Sequence, residues 1–154
     1  MYILAIIGVI CSVVLLNLVT GESFSNMLVY YDVISMLHLV VLIVPILAAA
    51  GLIKDFNTAL KLALGKKKAD SILQLKRAKE AVKLTGNICI ASGVMGTCCG
   101  IIQVFHIYRG EDLSSLLAGL GVAILTLFYS LIIYLLLLPI KSKIEIKILE
   151  YMQE

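Results

Sequence analysis

The sequence predicts an all-α integral membrane protein with four transmembrane helices, and two observations predict it. Of the 154 residues, 61% are hydrophobic, and the mean hydropathy is +1.05, which is far too apolar for a soluble domain. Four stretches contain no Lys, Arg, Asp or Glu between their ends, and about 20 such residues suffice to cross a bilayer core as a helix. The expected spans cover about residues 2–19, 33–53, 86–108 and 114–140 of a single membrane domain, 1–154.

The first two spans are apolar and contain few residues that indicate a function. The first has neither a basic leader nor a small-residue cleavage pattern, so we expect it to be retained rather than removed as a signal peptide. The second contains Pro45 near its middle. Because a proline removes one backbone hydrogen bond, we expect a kink there.

The charged residues predict the orientation of the chain. Residues 54–84 hold nine Lys or Arg against three Asp or Glu, whereas residues 20–32 and 109–112 together hold one basic residue against four acidic ones. The positive-inside rule therefore places the basic segment and both termini in the cytoplasm. Helical spacing of apolar residues on both sides of Gly65 and in the tail 141–154 predicts that the second, third and fourth spans extend into the cytoplasm.

The four cysteines show no disulfide framework and no metal-ligand spacing, so we interpret them as small packing residues. No paired carboxylates and no nucleophile with a neighbouring base occur near either membrane interface. We therefore expect no enzymatic activity, no bound metal or cofactor, and no nucleic-acid partner. The cysteines are Cys11, Cys89, Cys98 and Cys99.

The third and fourth spans are distinguished by stripes of small and hydroxyl residues at helical spacing. Lipid offers no hydrophobic drive for helices to associate, so small side chains that allow close backbone approach hold membrane helices together. A hydroxyl in such a stripe either bonds back to its own helix or faces a polar group that the bundle encloses. The helix-packing residues we predict are Gly93, Gly96, Gly100, Gly119, Ala123 and Ser130, with Gly86, Cys89 and Gln103 on the same stripe and Thr97 and Thr126 as its hydroxyls.

These two stretches resemble the MotA/ExbB proton-channel family. Residues 93–102, GVMGTCCGII, resemble the third-helix run Gly-x-x-Gly-Thr-x-x-Gly-x-x of that family. Residues 121–130, GVAILTLFYS, with the Leu-Pro-Ile at 138–140, resemble its fourth-helix run Ala-Val-Ala-Leu-Leu-Thr-Thr-Leu-Tyr-Gly and the Leu-Pro-Ile that ends it. The likeness continues weakly into the first half of the chain, around Asp32 and Ser35.

The sequence also departs from the family pattern. Residues 90–92, Ile-Ala-Ser, stand where the family has a proline, and Leu127 stands where it often has a second threonine. The segment between the second and third spans is much shorter than in flagellar members, which carry their rotor-contacting charges there. The chain therefore resembles a minimal, four-helix form of the family.

The resemblance implies a function that the residues alone do not supply. No carboxylate lies within the four spans, so we do not expect this chain alone to relay protons. The resemblance implies a ring, a pentamer in the family, around a dimer of single-span MotB/ExbD-like subunits whose Asp carries the ion. It implies a rotary motor of the bacterial inner membrane driven by H⁺ or Na⁺, with no cofactor beyond that ion, and it places Thr97 and Thr126 on the ion pathway.

Other interpretations stay open at this stage. The same helix packing would suit a structural membrane scaffold or assembly protein that conducts nothing. His38 and His106, near the outer ends of their spans, either form a pH gate or metal site or simply hydrogen-bond at the interface. Tyr129 either contacts the ion or is structural. The charges at Lys76, Arg77, Lys79 and Glu80 either dock a cytoplasmic effector or face anionic lipid and water.

Overall fold

A computed structural model describes residues 2–20, 32–65, 69, 71–108, 110 and 113–153, with side chains described only for residues 4–15 of the first range. Within these ranges all regular secondary structure is α-helical, as the sequence predicts. The acidic connections 21–31 and 111–112 and the lysine triplet 66–68 lie outside the described residues. The helices are α1 (Tyr2–Thr20), α2 (Val33–Ala49), α3 (Ile53–Ala63), α4 (Ile72–Ile107) and α5 (Leu113–Tyr151).

Two of the described helices, α4 and α5, are each long and apolar enough to cross a membrane. A third candidate exists if α2 and α3 are taken together as one broken span, and α1 adds a shorter apolar stretch, Leu4–Leu15. By length and composition the protein therefore has two or three spans among its described residues.

The second predicted span ends earlier than its apolar sequence suggests. We expect a helix from residue 33 to 53 that continues into the basic segment, but α2 ends at Ala49 and the chain turns by 107° into α3. Gly51 has φ +67°, and the Leu52 and Gly51 amides donate to the Leu47 and Ala48 carbonyls at 3.1 and 2.9 Å. This is a Schellman motif, which needs the left-handed conformation that glycine adopts without a steric penalty.

The third span and its predicted extension form one continuous helix, α4. The Ser71 side chain caps its first turn by accepting from the Gln74 amide at 3.2 Å. The fourth span likewise continues through Pro139 into the tail as the single helix α5. Each of the two long helices therefore runs without a break from the apolar bundle into a polar end.

The core of that polar end, which we call the basic end, is built from α3, the first turns of α4 and the last turns of α5. Leu62, Leu75 and Ile144 are fully buried there. Burying a side chain of this size stabilises the fold by roughly 1.5–3 kcal/mol. The complete cluster is Ala59, Leu62, Ala63, Leu75, Ala78, Val82, Leu137, Ile140 and Ile144.

Two lysines of α5 hold the C-terminus of α3 against this core. Lys143 Nζ donates to the Ala63 carbonyl at 2.9 Å, and Lys147 Nζ donates to the Leu62 carbonyl at 2.8 Å. The last carbonyls of a helix lack intrahelical donors, and positive charge is favourable at that end. The lysines therefore supply donors to two carbonyls at the end of α3, of which the Leu62 carbonyl also accepts from the Gly65 amide at 3.3 Å.

Candidate functional site

α4 and α5 meet along a line of glycines on α4, which we call the glycine seam. A Cβ atom at Gly93 would lie 2.5 Å from Ser130 Cβ, and one at Gly96 would lie 2.6 Å from Thr126 Cγ2. Real Cβ atoms essentially never approach another atom so closely. Both positions therefore require glycine for the helices to stay at this separation.

The seam extends toward the end of α4. A Cβ atom at Gly100 would lie 2.8 Å from Ala123 Cβ, and on the other helix one at Gly119 would lie 2.9 Å from Val104 Cγ2. The structure thus brings the predicted packing residues of α4 and α5 into direct opposition, with Gly119 and Val104 at the far end of the line.

The side-chain hydroxyls of the two stripes differ in their hydrogen-bond partners. Ser130 Oγ donates back to the Leu127 carbonyl of its own helix at 2.7 Å. Thr126 Oγ1 instead lies 2.9 Å from Ser35 Oγ of α2. Thr97 Oγ1 is buried and has no hydrogen-bond partner among the described residues. Of the two interpretations open from the sequence, back-bonding therefore describes Ser130 but neither threonine.

Asp32 completes a polar cluster with these groups. Its carboxylate caps α2 by accepting from the Ile34 and Ser35 amides at 3.1 and 3.3 Å, and Ser35 Oγ donates to Asp32 Oδ2 at 2.5 Å. Because that bond uses the only hydroxyl proton of Ser35, Thr126 is the donor to Ser35. Tyr129 Oη accepts from the Asp32 amide at 2.8 Å, so the hydrogen bond shown for this tyrosine hydroxyl is structural.

The level at which this cluster meets α5 is not evident from the sequence. Asp32 is expected in an outer loop, yet its carboxylate bonds Ser35, which bonds Thr126, and about 20 Å of helix separates Thr126 from the start of α5 at Leu113. A carboxylate therefore reaches the middle of the apolar stretch of α5. Sequence spacing cannot reveal this, because it does not show at which level one helix crosses another.

His38 lies in the second turn of α2, near the end of its span where the sequence predicts it. It nevertheless faces the middle of the apolar stretch of α4, because a Cβ atom at Gly96 would lie 3.0 Å from His38 Nε2. About 16 Å of helix separates Gly96 from the end of α4 at Ile107. His38 Nε2 is buried without a hydrogen-bond partner in the described part of the chain, whereas His106 is exposed near the end of α4.

A cavity of about 490 Å³ lies between α2, α4 and α5 and joins these groups. Asp32, Ser35 and His38 line it from α2, and Thr126 lines it from α5. Thr97 is not among its lining residues. The structure therefore separates the two predicted pathway threonines, since Thr126 faces the cavity whereas Thr97 holds a buried, unpaired hydroxyl elsewhere on α4.

The predicted effector-docking charges lie at the basic end, and part of them is engaged within the chain. Arg77 pairs with Asp55 of α3 at 2.9 Å. Lys79 pairs with Glu145 of α5 at 2.8 Å, and this hydrogen bond and charge lower the pKa of the Glu145 carboxyl below its usual value. Lys76 and Glu80 are exposed.

No metal site emerges from the described residues, because no group of three His, Cys, Asp or Glu side chains is close enough to hold an ion. All four cysteines are free, and Cys89 is buried.

Comparison with known proteins supplies the family. Residues 46–154 match the MotA/TolQ/ExbB proton channel family, which is more than two thirds of the chain and includes all of α3, α4 and α5. Asp32, Ser35 and His38 lie before the matched region. Neither the curated proteins nor the solved structures that were compared gave a significant match. The chain thus belongs to the MotA/TolQ/ExbB proton channel family, and is a membrane protein of the channel type.

Proposed function

We propose that this protein is the channel-lining subunit of an ion-driven rotary motor of the MotA/ExbB type. It forms a ring, a pentamer by family resemblance, around a dimer of single-span MotB/ExbD-like subunits whose Asp carries the ion. Flow of H⁺ or Na⁺ through the complex moves the ring around that partner. Family membership supports this proposal, as do the apolar character and close packing of α4 and α5.

The observation that carries the proposal is the buried, unpaired hydroxyl of Thr97 in the middle of the apolar stretch of α4. An unsatisfied hydroxyl costs about 1–3 kcal/mol when buried in a protein. Thr97 follows Gly96 of the glycine seam, and its hydroxyl makes no hydrogen bond among the described residues that would offset this cost. A hydroxyl kept at such a cost is explained if it meets an ion, a water molecule or a partner side chain in the assembled complex.

Four spans with both termini in the cytoplasm of a bacterium fit this role. The basic end then lies in the cytoplasm, where lysine-rich segments are retained, and anionic headgroups of the inner membrane face it. The turn at Gly51 is then the point where α2 leaves the membrane and α3 runs beneath it. Lys76 and Glu80, which are exposed, are the residues of the docking surface that remain available to an effector, because Arg77 is paired with Asp55.

Exposed apolar side chains support assembly into a ring. Large apolar residues of α2, α4 and α5 stand more than half exposed along faces that no described helix covers. In a membrane such faces meet lipid or a neighbouring subunit. They include Ile34, Leu37, Val41, Ile102, Phe105, Leu117, Val122 and Ile124.

The test is to purify the complex through this chain from its native membrane, measure subunit stoichiometry by mass, and reconstitute it into vesicles for H⁺ and Na⁺ flux. A ring of this chain that holds a single-span protein with an intramembrane Asp, and that passes either ion, is the expected result. A bundle of this chain alone that passes neither ion identifies a non-conducting scaffold instead.

A further inference from the structure

We propose that a cavity at the basic end binds the phosphate and upper acyl chain of an anionic phospholipid. The cavity has a volume of about 440 Å³ and lies between the last turn of α3 and the part of α5 that begins at Pro139. Lys143 and Lys147 of α5 are among its lining residues. Such a site goes beyond the proposed function and does not rest on it, because it requires a chain that spans a membrane but no ion flow.

The two lysines bring positive charge that is not neutralised by a carboxylate within the described residues. Lys143 Nζ donates one hydrogen bond, to the Ala63 carbonyl at 2.9 Å, and Lys147 Nζ donates one, to the Leu62 carbonyl at 2.8 Å. Neither lysine belongs to the ion pairs described for this end of the molecule. Because an ammonium group has three N–H donors, both lysines can donate to a further acceptor.

The spacing of the lysines favours an anion that contacts both. They are partly buried and stand four positions apart, so their side chains lie on one face of α5, where like charges repel each other. A phosphate between them accepts hydrogen bonds from both ammonium groups and removes this repulsion. The acidic residue that lines the cavity, Glu150, is exposed, so two positive charges face one negative charge there.

The position of the lysines along α5 corresponds to the headgroup layer of a bilayer. The apolar stretch of α5 ends at Ile140, and for a helix along the membrane normal Lys143 and Lys147 follow about 4.5 and 10.5 Å further on. Each headgroup layer is about 5–8 Å thick. Lys143 therefore lies within this layer, and Lys147 reaches back toward it, because helix side chains point toward the N-terminal end of their helix.

The apolar part of the cavity lining identifies the anion as a lipid. Pro139 and Ile146 of α5 and Leu64 of α3 line the cavity, and Ile146 and Leu64 are about half exposed. A soluble anion such as inorganic phosphate would leave these apolar surfaces in water, whereas a phospholipid covers them with its acyl chain. The cavity therefore offers a phospholipid both charge complementarity and an apolar surface.

Native mass spectrometry of the complex, purified through this chain and stripped of lipid, tests the site with added phosphatidylglycerol. The decisive variant is Ile146→Glu, which places a carboxylate beside the two lysines and leaves their bonds to α3 in place. We expect it to lower the retention of phosphatidylglycerol by about fivefold, the contribution of one lysine near an anionic lipid. Its uncharged match, Ile146→Gln, is expected to retain the lipid as the unmodified complex does. Equal retention by Ile146→Glu and Ile146→Gln overturns the site.

Two further probes distinguish an anionic lipid from other occupants. We expect phosphatidylglycerol to be retained about fivefold more than phosphatidylcholine, whose choline neutralises its phosphate, and an excess of inorganic phosphate not to displace it. Displacement by inorganic phosphate assigns the cavity to a soluble anion. A complex that loses copies of this chain with Ile146→Glu but not with Ile146→Gln assigns it to a neighbouring subunit. Either result overturns the lipid site.

Photo-crosslinking locates the bound lipid. A phosphatidylglycerol with a diazirine near the top of its acyl chain is expected to label the peptides of α3 and α5 that line the cavity. We expect this labelling to fall about fivefold in Ile146→Glu, in step with retention. Labelling that is confined to α2 and α4 overturns the proposal.

Discussion

The hydroxyl oxygens of Ser35 and Thr126 lie 2.9 Å apart, although 91 positions separate the two residues in the chain. This bond joins α2 to the middle of α5, and through Ser35 it connects Thr126 to the Asp32 carboxylate. It also joins the family-matched part of the chain to the part before it. The described bundle is therefore held together by contacts of α2 as well as by the α4–α5 pair.

A double-mutant cycle measures that bond. Ser35→Ala and Thr126→Val each remove one hydroxyl, and we expect the two changes to couple by about 0.6–1.7 kcal/mol, the range of interhelical hydrogen bonds in membranes. The measurement is the free energy of unfolding in mixed detergent for both single variants and the double variant.

The control cycle replaces Thr126→Val by Thr85→Val. Thr85 Oγ1 donates to the Ala81 carbonyl of its own helix at 2.8 Å, so its loss is expected to add to that of Ser35 without coupling. Additivity in both cycles shows that Ser35 and Thr126 do not interact in the membrane.

Gly96→Ala tests the glycine seam. Its new Cβ would meet Thr126 Cγ2 at 2.6 Å, and separating the helices to admit it is expected to cost about 1–3 kcal/mol of stability. Gly96→Leu and Gly100→Leu are expected to abolish assembly of the ring. Detergent unfolding and the mass of the purified complex report the two effects.

Gly121→Ala is the matched control on α5, since no atom lies within 4 Å of its added Cβ. We expect it to be neutral or stabilising, because alanine is the better helix former. A Gly96→Leu complex of unchanged mass and stability contradicts the seam.

Thr97→Val separates stability from conduction. The change removes a buried hydroxyl that has no partner among the described residues, so we expect stability to rise by about 1 kcal/mol. Ion flux with the partner present is expected to fall at least about tenfold, which is roughly 1.4 kcal/mol of barrier.

Thr97→Ser keeps the hydroxyl and is expected to retain most of the flux. The measurement is the ion flux of the Thr97→Val and Thr97→Ser complexes beside that of the unmodified complex. Each complex is first shown to assemble. Equal flux from Thr97→Val and the unmodified complex assigns Thr97 a purely structural role.

Acid titration tests the pair Lys79–Glu145. Glu145 lies beyond the apolar stretch of α5, and its pKa is lowered in the folded protein by the Lys79 hydrogen bond and charge. A carboxyl whose folded pKa is depressed adds stability above its ordinary pKa of 4.5, and this contribution disappears as the pH falls through the lowered value.

We therefore expect Glu145→Gln to unfold at a lower temperature than the unmodified protein at pH 7, and this difference to disappear as the pH falls through the lowered pKa of Glu145. Glu80→Gln, at an exposed position of the same end, serves as the control and is expected to show no such difference. High salt should shrink the effect at pH 7, because an exposed pair is screened.

Hydrogen exchange tests the lysine contacts to α3. Replacing Lys143 and Lys147 by Met keeps most of the apolar stem but leaves the Ala63 and Leu62 carbonyls without these donors. We expect a loss of about 1 kcal/mol for each contact and faster amide exchange through the last turn of α3. Lys61→Met, on the exposed face of the same helix, should exchange as the unmodified protein does.

Much of the architecture follows from local sequence, because helices in lipid are determined by the residues within them. The apolar stretches predict α4 and α5, and the stripes predict which glycines face a neighbour. The end of α2 next to Gly51 can also be predicted from the sequence, because a glycine after an apolar run is a typical helix C-terminus. The apolar residues continue to Ile53, however, and this continuity favours the longer helix that we expected.

What the sequence determined by itself is the helical class, the family and the packing faces of the two long helices, because each depends on residues close together in the chain. Only the tertiary structure placed Asp32 and His38 beside Thr126 and Gly96 and turned α3 back onto α4 and α5. The register between helices depends on how side chains of distant segments interlock, and composition and periodicity carry no record of it. For this reason the sequence does not reveal that the carboxylate preceding α2 is linked through Ser35 to the middle of the apolar stretch of α5.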